Sequence, residues 1–143
     1  MSTTLQIGDK KINGVSEVPK WIQNGLDKEA IQYAEKFGKG LSPKVLGTKD
    51  ALTTSQIRNI YGEVQRMKMK GVTRTELLLL KPRLAYTTER KGTKGSKDFR
   101  KVIERALDEV INSDNMNDFK KRFYNFANFF EAILAYHRSF GGR

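Results

Sequence analysis

Cysteine is absent from this chain, which removes disulfide staples and thiolate metal sites and gives no reason to expect an oxidising compartment. The cytoplasm is the expected location. The opening "MSTTLQIGDKKING" lacks a basic segment followed by an apolar run, and no stretch approaches the roughly 20 apolar residues that span a bilayer, so neither export nor a membrane span is expected. Histidine occurs once, as His137. A general base needs an orienting partner or a second reacting group, and the chain offers no second histidine and no thiol. Nucleophile elbow, phosphate loop and zinc spacing are all missing. Catalysis by this chain alone is not expected, nor is any cofactor.

What is present is positive charge. Across 143 residues, 27 Lys and Arg stand against 16 acids, a formal net charge of +11. Between Arg66 and Arg105 there are 13 basic residues and 4 acids, Glu76, Glu89, Asp98 and Glu104, so most of the excess lies in the middle of the chain. A balance of this kind at this length points to a polyanionic partner. A membrane-binding segment would place its basic residues on one amphipathic helix, but Gly71, Pro82, Gly92 and Gly95 break this stretch. Nucleic acid is therefore the expected partner, and a membrane is not.

The length allows one domain with a continuous core. Residues 1–17 show no sustained periodicity and read as a flexible arm, leaving 18–143 as the folded unit. Trp21, Ile22, Leu26, Ile31, Ala34 and Phe37 recur at helical spacing, with Pro19 suited to a first turn and Asp27 to capping a second piece. "GKGLSPKVLGTK" reads as a linker. Thr53 and Gln56 form a capping box ahead of an amphipathic run, Ile57, Ile60, Tyr61, Val64 and Met67, with Arg58, Gly62, Gln65 and Arg66 on an adjoining polar face. Gly71 ends that helix. Pro82 divides the next into two pieces joined at Lys81, because it has no amide hydrogen to donate. Phe99, Val102, Ile103, Ala106, Leu107, Val110 and Ile111 form a further helix with Ser96 as its cap. The last runs from about Asn117 to Phe140 and stops at Gly141. The expected fold is all-α, a compact bundle of about five helices.

On a helical wheel His137 falls with Phe119 and Phe130 in the centre of the apolar stripe, which predicts a packed imidazole. Asp108, Glu109, Asp114 and Asp118 match no calcium loop and read as solvated helix ends, so no metal site is expected. The candidate RNA-binding residues are Arg58, Arg66, Lys68, Lys70, Arg83, Arg90, Lys91, Lys101 and Arg138, with Lys81, Lys97 and Arg100 among the same cluster. If their helices pack side by side, they line one phosphate-binding surface. An alternative is a DNA-binding regulator of helix-turn-helix type over Thr53–Leu80. Against it, Leu77, Leu78, Leu79 and Leu80 spread around the would-be reading helix.

Three phrases in order, "LTTSQIRN" (Leu52 to Asn59), "LAYTTERK" with Tyr86 and Arg90, and "FFEAILAYHRSFGG" (Phe129 to Gly142), resemble the small α-helical subunit of the type III-A CRISPR effector, the Csm complex. The resemblance runs from about Leu52 to the end. It implies a non-catalytic subunit in antiviral defence, present in several copies and stacked into a filament along guide RNA and target RNA, with other Csm subunits as partners. By motif position it assigns Arg58 and Arg90 to RNA or subunit contact and places His137 and Arg138 in the final phrase. Such stacking needs an apolar or mixed patch, for which Tyr61, Met67, Met69, Tyr124 and Tyr136 are candidates.

Overall fold

A computed structural model describes residues 4–7, 10–13, 15–90 and 92–142. Within the span expected to be an arm, β1 (Thr4–Ile7) and β2 (Lys10–Asn13) pair antiparallel as a hairpin; residues 1–3, 8, 9 and 14 of that span lie outside the described residues. The body is all-α. Among the described residues it contains seven helices, α1 (Val18–Asn24), α2 (Lys28–Gly40), α3 (Pro43–Asp50), α4 (Thr54–Lys70), α5 (Arg74–Glu89), α6 (Lys94–Ile111) and α7 (Met116–Ser139).

Two of these exceed the expected five. The run from Val18 to Phe37 is broken at Gly25, whose φ of 109° ends α1, and restarts where Asp27 accepts the Ala30 amide at 2.9 Å. The supposed linker contains α3: its glycines hide a short helix that Pro43 starts, Ser42 precedes and Gly47 (φ 77°) interrupts. Three boundaries follow local chemistry. The Thr53–Gln56 capping box is present, Gly71 (φ 100°) closes α4, and Gly141 (φ 89°) follows α7. At α6 the capping residue is Thr93 rather than Ser96, which sits three residues in and answers with its own hydroxyl, starting the helix at Lys94.

Pro82 does not divide α5, which runs unbroken across it. The amide it lacks would have met the carbonyl of Leu78, and both residues lie on the outer side of the helix, Leu78 at 49% exposure. Water can satisfy that carbonyl, so the helix loses one bond without burying an orphan.

The core forms around α7, which packs against α1, α2, α4 and α6. Its inner face supplies Phe119, Phe123, Phe126, Phe129, Phe130, Ile133 and Leu134, all buried. Phe130 receives Phe99 and Phe126 edge-on at 5.4 and 6.2 Å, and Tyr61 at 5.6 Å. Phe129 meets Trp21 and Tyr33, each at 6.1 Å. Glycine allows closer approaches than side chains would. A methyl on Gly38 would lie 2.8 Å from the backbone of both Ile133 and His137, so α2 rests directly on α7. On Gly95 it would lie 2.4 Å from the Leu52 amide, which fixes the start of α6 against the entry to α4.

Candidate nucleic-acid interface

α4 is flanked by α5 on one side and α7 on the other, and its two flanks differ in chemistry. Toward α7, Lys68 is occupied: its Nζ donates to Asn128 Oδ1 at 2.8 Å, stands 3.7 Å from Glu131 and lies 5.2 Å from the Tyr124 ring centre. Toward α5, an open groove of about 1080 Å³ is lined by Ser55, Arg58, Asn59 and Gly62 from α4 and by Arg83, Tyr86 and Arg90, the last two flanking Thr87. Spacing explains the lining. Arg58 and Gly62 are one turn apart, and Arg83, Tyr86 and Arg90 recur at three and four residues, so each set shares a face of its helix. Gly62 leaves the floor of the groove open, since a methyl there would meet nothing within 4 Å.

Arg58 and Arg90 are exposed and enter none of the ion pairs among the described residues. Arg83 lies 3.7 Å from the Glu63 carboxylate. That same oxygen accepts from Arg66 at 2.8 Å, and Arg66 also donates to Glu76 at 2.9 Å. Hydrogen bonds donated to Glu63 and then to Glu76 push the Arg66 guanidinium further above its usual range, and Arg66 in turn holds the Glu76 carboxyl down. Arg66 is thus a neutralised neighbour of the groove, while Arg58 and Arg90 offer free guanidinium forks for phosphate.

The remaining candidates disperse. Lys70 is exposed at the end of α4. Lys101 is 3.9 Å from the buried Asp98, which Lys94 approaches to 2.8 Å. Lys81 is bonded to Asp108 at 2.7 Å, an interaction that raises its pKa, and Arg100 binds Glu104 at 2.7 Å and Glu89 at 3.3 Å. Lys97 is exposed on α6, and Arg138 is exposed at the far end of α7. Lys91 lies outside the described residues. Three of the nine candidates, Arg58, Arg83 and Arg90, therefore share one groove. The helical spacing of Arg83, Tyr86 and Arg90 lies wholly beyond Pro82 and is legible in the sequence; that this face meets Arg58 across a groove comes from the packing of α4 against α5.

His137 occupies the opposite kind of environment. Its ring is wholly buried, and its Nε2 is 2.7 Å from the carbonyl oxygen of Leu52, which can only accept, so Nε2 carries the proton. Nδ1 has no hydrogen-bond partner among the described residues, and Gly142 covers the ring so closely that a methyl there would fall 2.2 Å from it. Burial lowers the imidazole pKa, opposed by the Leu52 bond and reinforced by Arg138. Of the other acids named from the sequence, Asp108, Glu109 and Asp118 serve structural contacts and Asp114 is exposed. Glu109 receives the Gln23 amide and, with Asp118, pairs with Arg122. No cluster of metal-ligating side chains occurs among the described residues, and none of their helices is long and apolar enough to cross a membrane.

Of the candidates for subunit contact, Met67 is buried in the core and Tyr61 and Tyr136 are half-buried against it, whereas Met69 and Tyr124 are exposed, at 83% and 56%. Met67 thus belongs to the packing of α4.

No curated protein and no solved structure matches the chain. The family model described as Csm2 Type III-A matches residues 26–143, a span holding the groove, the phenylalanine face of α7 and all three phrases that carried the resemblance. The chain belongs to the Csm2 Type III-A family, the small subunits of the type III-A CRISPR Csm complex.

Proposed function

We propose that this subunit binds RNA without catalysing its cleavage, by presenting the α4–α5 groove to the sugar-phosphate backbone. The observation that carries the reading is the convergence of Arg58, Arg83 and Arg90 on one open groove, two of them with no acidic partner among the described residues. A subunit that must accept any guide sequence grips phosphates rather than base edges. Several copies stack along the guide RNA and target RNA beside the other Csm subunits, so a modest affinity per copy is multiplied by the array. The buried seat of His137, with no carboxylate on the ring among the described residues, supports a non-catalytic role.

The test is RNA binding by the full-length chain carrying Arg58→Ala and Arg90→Ala together. Affinity should fall about tenfold or more on every sequence. The slope of log affinity against log salt should shrink by about 1.4 for a single strand, since each lost phosphate contact removes about 0.7. Unchanged affinity in the folded double variant would reject the groove.

The helix-turn-helix alternative has less support. Such a reading helix uses its N-terminal residues on base edges. In α5 those are Arg74, which donates to the carbonyls of Ile111 and Ser113, and Glu76, which holds Arg66.

A further inference from the structure

Tyr86 is 67% exposed, yet it lies inside the basic groove. Tyr124, the other strongly exposed tyrosine, is covered by the Lys68 ammonium, whereas the Tyr86 ring has no aromatic, cation or hydrogen-bond partner among the described residues. Helical spacing sets it one turn from Arg83 on one side and one turn from Arg90 on the other. The two arginines are thus about 10 Å apart along the axis, at 1.5 Å per residue, with the bare ring between them. Arg58 stands across the groove, and the missing side chain of Gly62 leaves room above the floor. Phosphates alone would be satisfied by the cations. An uncovered aromatic face set among them adds affinity only for a flat partner, and every nucleobase has one.

Resting on the groove's assignment to RNA, we infer that Tyr86 is a stacking platform for an unpaired base. The groove takes a single-stranded or flipped-out nucleotide, with its base on the ring and its flanking phosphates on Arg58, Arg83 and Arg90. A closed duplex already stacks its bases on one another and presents only backbone, so it uses the arginines but not the ring.

The experiment measures binding of the full-length chain to three probes: an oligoadenylate, an abasic oligomer of the same length, and a blunt RNA duplex. Tyr86→Ala is expected to weaken oligoadenylate binding about tenfold, the effect of losing one stacked base, with the salt slope unchanged and no effect on the abasic or duplex probes. Tyr86→Phe and Tyr86→Trp should retain binding. In the tryptophan variant, oligoadenylate should quench emission against the constant background of Trp21, which is 2% exposed. Full oligoadenylate affinity in Tyr86→Ala would overturn the inference, as would equal losses on oligoadenylate and abasic oligomer. Intact RNA binding combined with reduced self-association in sedimentation would also overturn it, assigning the ring to a protein contact. If the arginine double variant loses affinity while Tyr86→Ala does not, stacking fails and the groove stands. If the arginine variant is unaffected, the groove itself fails.

Discussion

Two clefts of this bundle use glycine in opposite ways. Where α7 meets α2 and where α6 meets the entry to α4, Gly38, Gly95 and Gly142 bring backbones and the His137 ring together so tightly that a single methyl would clash. Between α4 and α5, Gly62 keeps space open. Burial in the closed cleft disfavours the charged form of the His137 ring, and the open cleft presents guanidinium groups to water. The buried histidine is therefore a poor guide to function here, and what a partner meets is the arginines of the groove and the Tyr86 ring.

The contrast breaks most severely through the closed side. Phe130→Ala should cost about 3–5 kcal/mol, because Phe99, Phe126 and Tyr61 lose their common neighbour and a void remains. Denaturant titration reads it as a lower midpoint with an unchanged slope. A variant that still folds at low temperature should keep the RNA affinity of the native chain.

A smaller effect concerns pH. The folded pKa of His137 lies below its unfolded value of about 6.5, so the unfolded chain binds the proton more readily. Its contribution to stability is present above that value and is lost as pH falls through 6.5 toward the folded pKa. Thermal unfolding across this window should show the loss, and His137→Gln should flatten it from a lower starting stability. RNA binding by the folded chain should not follow the same titration.

The open side is sharpened by Glu63, the one carboxylate lining the groove among the described residues. Removing its charge in Glu63→Gln releases Arg83 and leaves Arg66 held by Glu76 alone. It should tighten RNA binding a few-fold and steepen its salt dependence, while stability stays within about 0.5 kcal/mol because exposed ion pairs contribute little. Weaker binding would show that Glu63 positions the arginines rather than competing for them. The smallest effect is expected across α4. Lys68→Ala, on the flank facing α7, should change RNA affinity by less than about twofold, and a large loss would extend the interface beyond the groove.

Much of the fold was legible in local chemistry. The Thr53–Gln56 box, Gly71, Asp27 and Gly141 mark helix ends through hydrogen bonds and dihedral angles set within a few residues. The phenylalanines of α7 and His137 could be placed in the core because helical periodicity fixes which side chains share a face. Two errors came from treating breakers as absolute. Pro82 sits where its lost hydrogen bond faces water, and the glycines of the supposed linker lie within helices, Gly38 and Gly40 in α2 and Gly47 inside α3. Both outcomes depend on which side of the element the fold covers.

The sequence by itself determined the all-α body, the buried histidine and the excess of cations, since these follow from periodicity and from counting. Only the tertiary structure decided which cations act together. Lys68 and Arg58 belong to one helix yet face different neighbours, and Arg66 is charged yet already answered by two carboxylates. Charge adds up along a chain without regard to direction, whereas gripping a phosphate requires side chains to converge, and convergence is set by how the helices pack.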